Sequence, residues 1–360
     1  MPVNRSRQAH DLIISDYEVI ATLGPSCADA AVWEKLLAAG ASAFRLNSSH
    51  LTVDELTEWL NRLEAFFEAR GSSVEVVIDL QGSKWRLGTL EPRFLDLDQQ
   101  VTLILAEAVS PGSNVQTAVL PVPRADFFRA APLSDGEVVL NDAKVRLRIE
   151  GIQENAVIAL VTQAGPVSAR KGITLPGSSY RSEALSKKDH EIVTRTRQWS
   201  FASYAISYVK DAVEMRRYRA VFDALPGKPP KLIAKLERAQ AMDEASEIAQ
   251  ALLPNGALWV CRGDLGAEVG LPAMAQAVHH LTQQIGSIPA PLLMAGQVLE
   301  HMTLSPNPTR SEVCYLHDCL RAGYRGFILS DEAAAGPYPV ESCRAAAVFR
   351  QALGTDPILT

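Results

Sequence analysis

The sequence predicts an α/β protein built on a (β/α)8 TIM barrel, with an all-β lid domain inserted after the third strand. Three observations carry that reading. Eight short, near-continuous hydrophobic runs recur along the 360 residues, and most are followed by an amphipathic segment, the pattern of a parallel sheet covered by helices. The interval from about 89 to 177 breaks that rhythm with β-rich stretches separated by Pro and Gly turns. No Gly-rich dinucleotide fingerprint follows any of the runs, which weighs against an open nucleotide-binding sheet.

In order, the runs are YEVIATLG (17–24), SAFRLN (42–47), VEVVIDL (74–80), SYAISYV (203–209), KLIAKLE (231–237), GALWVCRG (256–263), APLLMAG (290–296) and RGFILS (325–330). Helical periodicity marks 31–39, 52–69 and 238–252, and a last helix at roughly 340–354 closes the barrel. Between the third and fourth runs, QQVTLILAE, GEVVLNDAKVRLRIEG and NAVIALVTQAG read as strands of the insert. The expected division is therefore 1–88 with 178–360 for the barrel and 89–177 for the lid. Gly88 and Gly177 sit at the joints, where free backbone rotation would suit a hinge.

Composition bounds the function. Hydrophobic residues make up 47% and charged residues 21%, the balance of a protein with a sizeable core. A net charge of −6 argues against the basic footprint of nucleic-acid binding, without excluding a locally basic pocket. The five cysteines are odd in number and lack zinc-site spacing, so they read as reduced thiols. The first residues, MPVNRSRQAHDL, lack the apolar core of a signal peptide. No apolar run approaches the roughly 18 residues that span a bilayer. A soluble, cytoplasmic protein without a membrane partner is expected.

In such barrels the active site lies at the C-terminal ends of the strands. There the second run ends in Arg45-Leu46-Asn47-Ser48-Ser49-His50, and the third in Asp79, with Lys84 and Arg86 soon after. The fifth carries Lys235 and Glu237, two apart and so on one side of the strand. The sixth ends in Arg262-Gly263-Asp264, the seventh in Gly296-Gln297 and the eighth in Ser330-Asp331-Glu332. Glu237 and Asp264 are hard oxygen ligands suited to Mg²⁺ or Mn²⁺. Lys235, Arg45 and Arg86 suit a phosphoryl group, whose transfer depends on positioning and charge. Gly263 lets the backbone approach a ligand, and its amide with that of Asp264 would suit a carboxylate. Blander readings stand beside these: His279, His280 and His301 as helix-face residues, Cys261 as core, His50 as a cap and Lys171 as a solvated lysine.

At this point the residues carry a family resemblance. ATLGPS (21–26), FRLNSSH (44–50), IDLQGSKWRLG (78–88), KGITLPG (171–177), KLER (235–238), CRGDLGAE (261–268), AGQVLEHM (295–302), NPTRSEV (307–313) and LSDEAAAGPYP (329–339) resemble, in order and spacing, the signatures of the pyruvate kinase family. The interval 89–180 falls where that family carries its mobile B domain. The resemblance implies that Lys235 stands beside the transferred phosphoryl group and that Glu237 and Asp264 hold the divalent metal. It also implies that Gly263, Asp264 and Gly296 bind the substrate. Arg45, His50, Arg86 and Lys171 match positions contacting nucleotide or transferring phosphate. Asn47, on the nucleotide side, lines the monovalent-cation region with Asp79, and Asp142 partly matches the second aspartate of a DDG motif in the lid.

The implied partners are phosphoenolpyruvate or a related enol phosphate and ADP or ATP, with homo-oligomerisation left open. The family's usual C-terminal domain is expected to be absent. Gly296 replaces a threonine that contacts the substrate near its reacting carbon, and Asp331 with Ala333 alters an SGETA motif. Two alternatives remain: a metal-dependent lyase, decarboxylase or aldolase acting on a related 2-oxo acid, and a non-catalytic ligand-binding homologue. Leu80, Gln81, Lys84 and Leu87 are similar to members that work without K⁺, with the lysine ammonium standing in for the ion. A second cation beside it would be repelled. Turnover is therefore expected to be equal in K⁺ and in a bulky organic cation, and Lys84→Glu to introduce a K⁺ requirement; a several-fold stimulation of the native protein by K⁺ would contradict this.

Overall fold

The computed structural model describes residues 16–109, 117–141, 143–178 and 185–350. Strands β1 (Glu18–Thr22), β2 (Ala43–Asn47) and β3 (Glu75–Leu80) begin a barrel. The chain then makes nine strands of a separate β region: β4 (Trp85–Arg86), β5 (Arg93–Leu95), β6 (Gln100–Ile104), β7 (Thr117–Pro121), β8 (Glu137–Leu140), β9 (Val145–Gln153), β10 (Ala156–Gln163), β11 (Gly165–Val167) and β12 (Gly172–Thr174). It returns to complete the barrel with β13 (Ala202–Ile206), β14 (Leu232–Leu236), β15 (Gly256–Cys261), β16 (Leu292–Ala295) and β17 (Gly326–Leu329). The eight barrel strands close in the order β1-β17-β16-β15-β14-β13-β3-β2, every pair parallel. Each of the eight runs read from the sequence supplies one of them.

Closure explains why those runs are apolar on both faces. Alternate side chains point to the barrel axis or to the helices. On β3, Val77 joins the axial cluster with Ile233, Trp259 and Ile328, while Val76, Ile78 and Leu80 join the core beneath the helices. The helix Val53–Arg70 shows how sequence sets a boundary. Thr52 and Glu55 form a reciprocal capping box at its start, and Gly71 ends it at φ 71°, a left-handed conformation that glycine adopts without strain. The helix expected over 238–252 is instead two, Ala239–Asp243 and Ala245–Leu252. The break at Glu244 brings Ala245, Ile248, Ala249 and Leu252 onto the barrel wall, where all four are buried. The last helix, Pro339–Ala346, is shorter than the sequence suggested, its final turn running on irregularly to Arg350.

The β region forms a seven-stranded sheet, β4-β12-β8-β9-β10-β6-β7, with a small β11-β5 pair. Its own core includes Trp85 edge-on to Phe127, ring centroids 5.7 Å apart, the latter on a short helix, Ala125–Ala130. Both joint glycines have packing reasons. A Cβ at Gly88 would lie 2.3 Å from the Glu107 carbonyl oxygen, and one at Gly177 would lie 2.2 Å from the Asp135 carboxylate. Asp142 lies outside the described residues. Among the described residues no helix is long and apolar enough to cross a membrane.

Gly82, at the exit of β3, is constrained twice: its φ is +62°, and an added Cβ would lie 2.1 Å from the Ser207 carbonyl oxygen. Gly71 shares the left-handed backbone, but a Cβ added there would meet nothing within 4 Å. Gly71→Ala is expected to cost about 1–2 kcal/mol of stability, the left-handed penalty alone. Gly82→Ala is expected to cost clearly more, measured as a lower urea midpoint at unchanged m-value. Equal losses would remove the proposed role of the Ser207 contact.

Candidate active site

The C-terminal ends of the barrel strands, with β4 and β12 above them, enclose a cleft of about 750 Å³. Arg45, Asn47, His50, Lys84, Arg86, Lys171, Lys235, Glu237, Gly263, Asp264 and Gly296 all line it. Thus these eleven candidates taken from the sequence come to one place. The alternation along each strand accounts for this: Arg45, Asp79 and Lys235 each stand two residues beyond a small or apolar axial residue, namely Ala43, Val77 and Ile233.

Asp79 is the centre of the charge arrangement. Its Oδ2 accepts from Arg45 Nε at 2.9 Å and Nη2 at 2.6 Å, and Lys235 Nζ lies 3.2 Å from it. Its Oδ1 accepts from Ser207 Oγ at 3.1 Å and from Lys235 Nζ at 3.3 Å. Lys235 also donates to Ser207 Oγ at 2.7 Å and pairs with Glu237 Oε1 at 3.0 Å. Arg45 Nη1 donates to Thr22 Oγ1 at 2.8 Å. Burial pushes the Asp79 carboxyl upward, but Lys235 and Arg45 outweigh it and hold the group below its ordinary value. Burial likewise disfavours a charged Lys235, yet Asp79 and Glu237 reverse the balance and keep it protonated.

Glu237 behaves differently from its neighbours. It is 2% exposed, and its Oε2 accepts the Tyr208 backbone N–H at 2.7 Å. Burial raises its pKa, and Lys235 and Lys84 only partly offset that while Asp264 adds repulsion. Asp264, at the start of the helix Arg262–Val269, ion-pairs with Lys84 Nζ, and this contact overcomes burial to lower its pKa. Lys84 in turn is pressed by the β region, because a Cβ at Gly172 would lie 2.6 Å from Lys84 Cε. The sequence reading put Lys84 in a monovalent-cation region; its ion-pair partner is Asp264.

The opposite wall is basic. His50 shares it with Arg86 and Lys171; its ring edge is exposed, yet partial desolvation followed by those charges and Arg45 pushes its pKa below the ordinary 6.5. Arg86 Nη1 donates to the Arg170 carbonyl at 2.9 Å, while its Nε is buried without a partner among the described residues. Asn47 Oδ1 accepts from Ser49 N at 3.1 Å, so its side chain also caps the turn Ser48–His50.

Gly296 has φ +78°, and a Cβ there would lie 3.3 Å from the amides of both Arg262 and Gly263. A threonine at this position would therefore be strained. Arg262 clamps this loop, donating to Gly296 O at 3.0 and 2.6 Å and to Gln297 O at 3.0 Å. A Cβ at Gly263 would meet nothing within 4 Å, so its face of the backbone is open to a ligand. Thr22, Ser207 and Trp259 also line the cleft. Sequence reasoning passed over them because each sits within or beside an apolar run; only the period-two alternation marks them as inward-facing.

The family model described as "Pyruvate kinase, barrel domain" matches residues 14–343. This chain belongs to the pyruvate kinase family. A pyruvate kinase of Agrobacterium vitis is 31% identical over 325 residues, 90% of this chain and 66% of the relative. One from Mycobacterium intracellulare is 31% identical over 329 residues, 91% of this chain and 68% of the relative. The chain therefore spans about two thirds of the length of the curated relatives it matches. The crystal structure of a pyruvate kinase from Cryptosporidium parvum superposes with a TM-score of 0.80 at 22% identity, covering 98% of this chain and 71% of that one, which bears on the fold.

For a member of the pyruvate kinase family, a divalent metal is the cofactor to test against this site. Among the described residues no group of three or more His, Cys, Asp and Glu side chains could hold a metal. Mg²⁺ needs fewer protein ligands, because it keeps several waters and binds through one or two carboxylates plus substrate oxygens. Glu237 and Asp264 fit that requirement: they share the cleft, repel one another, and leave Glu237 with less positive compensation than its burial demands.

The His50 titration provides a check on the basic wall. Its NMR midpoint is expected below the ordinary 6.5 and should rise in Lys171→Ala, which removes one repelling charge. Because the folded pKa is the lower one, stability should be full above the unfolded value of about 6.5 and fall as pH drops from there toward the folded midpoint. A midpoint at or above 6.5 in the native protein would contradict the assigned surroundings.

Proposed function

We propose that this cleft transfers the phosphoryl group of an enol phosphate of a 2-oxo acid, phosphoenolpyruvate being the simplest, to ADP, in the cytoplasm. The observation that carries the reading is the meeting of Lys235, Arg45 and Arg86 with Glu237 and Asp264 in one cleft. In the transfer the bond from phosphorus to the enol oxygen breaks, a bond to the terminal ADP oxygen forms, and the enolate left behind takes a proton at its third carbon. Lys235, Arg45 and Arg86 hold the phosphoryl oxygens as charge moves between donor and acceptor. The amides of Gly263 and Asp264 orient the carboxylate. His50, Asn47 and Lys171 serve the nucleotide side.

Glu237 and Asp264 would hold Mg²⁺ or Mn²⁺, which would supply charge neutralisation as negative charge develops on the transferring group. Lys84 supplies fixed positive charge beside Asp264, the basis for a reaction without K⁺. A lyase, decarboxylase or aldolase acting on a related 2-oxo acid needs no cage of three cations, so phosphoryl transfer is favoured over it. A purely ligand-binding role leaves the Lys235–Glu237 pair without a purpose.

Glu237→Ala and Asp264→Ala should each lower Mg²⁺-dependent turnover of phosphoenolpyruvate and ADP by at least about 10²-fold. Circular dichroism should show the fold retained. If either variant keeps near-native turnover with unchanged Mg²⁺ dependence, the metal assignment is wrong. If the native protein forms no pyruvate and ATP, the phosphoryl-transfer reading itself is lost.

A further inference from the structure

A second cavity lies on the flank of the barrel, outside the cleft. It has a volume of about 400 Å³ and sits between the helices Leu271–Gln284 and Arg310–Ala322, against β16. Met274, Val278, Met294, Tyr315, Ala322 and Tyr324 give it a largely apolar lining. An apolar cavity of this size with a few placed polar groups is the usual form of a small-molecule site.

The polar groups around it indicate the ligand. The Tyr324 and Thr282 hydroxyls bond one another at 3.0 Å, and Thr282 also donates to the Val278 carbonyl at 2.6 Å. The Tyr315 hydroxyl shares a hydrogen bond with the Cys319 thiol. His279 and Asp318 are exposed, the first bonded to Gln283 at 3.0 Å and the second 3.7 Å from His317. Arg262 is the exception. It lines this cavity and not the cleft, and its guanidinium carbon lies 4.7 Å from the centroid of the Tyr315 ring. Its Nε and Nη2 hold the carbonyls of Gly296 and Gln297. Its Nη1 has no partner among the described residues and stays accessible to solvent. Burial raises the pKa of both Tyr315 and Cys319, and the charge of Arg262 opposes that at each, so its positive field reaches the cavity lining.

An apolar chamber whose one unused donor is cationic suits an anion carried on an apolar body. A single guanidinium offsets one negative charge. A phosphate dianion would keep a second, uncompensated charge on the side where Asp318 stands. A carboxylate carries only one, and its oxygens match the guanidinium in geometry.

We propose that this cavity is a binding site for an amphipathic monocarboxylate, whose carboxylate accepts from Arg262 Nη1 while its hydrocarbon body lies between the two helices. The site goes beyond the phosphoryl-transfer reading and does not depend on it. Ligand and cleft loop do not compete for the same donors, because the loop uses Nε and Nη2.

The test is calorimetry on the whole protein with octanoate and octylamine, which share a chain length and differ in charge. Native protein should bind octanoate at least about tenfold tighter than octylamine, the discrimination a charge-assisted hydrogen bond supplies. Ala322→Trp places a ring in the chamber from an exposed position and should weaken octanoate at least about tenfold, with the circular dichroism unchanged. Arg262→Gln keeps a donor for the Gly296 carbonyl but no charge, and should bring the ratio of the two probes close to one.

Absence of octanoate binding overturns the site, as do equal binding of octylamine by the native protein and full octanoate affinity in Ala322→Trp. Should Ala322→Trp fail to fold, Ala275→Trp on the facing helix makes the same test. A dimer in sedimentation that Ala322→Trp dissociates would show a second copy covering the cavity and would also overturn the proposal. None of these measurements involves phosphoryl transfer, so failure of the site and failure of the proposed function are separate results.

Discussion

Asp79 sits 2% exposed at the end of a barrel strand, where a carboxylate is tolerable only if cations and donors replace the water it has lost. Arg45 from β2, Lys235 from β14 and Ser207 just beyond β13 do so, and together they join four strands of the barrel mouth. Removing one partner from a buried ion cluster typically costs about 3–5 kcal/mol, because the others are left uncompensated. The arrangement therefore fixes the rotamers of Arg45 and Lys235 as part of fixing the barrel rim. Two cations are held in place before any phosphate arrives, and charge stabilisation of that kind needs little rearrangement during a reaction.

The metal-binding candidates follow from the same balance. Each carboxylate is already matched with an ammonium, Glu237 with Lys235 and Asp264 with Lys84. The two pairs are unequal, since Asp264 is held ionised while Glu237 is pushed toward protonation by burial that Lys235 only partly offsets. A divalent ion shared between them would add positive charge where Glu237 lacks it. The acidic pair thus suits an ion that arrives with its own water and phosphate ligands better than one held wholly by protein.

Much of this was legible in the sequence. The eight barrel strands could be read because a parallel sheet covered on both faces leaves continuous apolar runs, and Lys235 and Glu237 stood out as charges inside one of them. The break at Glu244 was not legible, since the helical period continues through it and only contact with the barrel wall separates the two halves. Strands as short as Trp85–Arg86 and Gly172–Thr174 carry too few residues for any period to appear. Trp259 and Ser207 were hidden for a different reason: an indole or a hydroxyl in a β-rich run looks like filler until the register shows what it faces. The partner of Lys84 could not be read either, because 180 positions separate it from Asp264 in the chain.

The close approach of Gly172 to Lys84 sets strand β12 against the residue through which the chain passes from the barrel into β4. Strand β12 belongs to the β region, yet the space a side chain would fill at Gly172 is taken by the lysine whose ammonium grips Asp264. The β region is in this way seated on an electrostatic contact of the barrel. Any side chain at position 172 would have to displace that lysine, so the ion pair with Asp264 limits what can stand on β12.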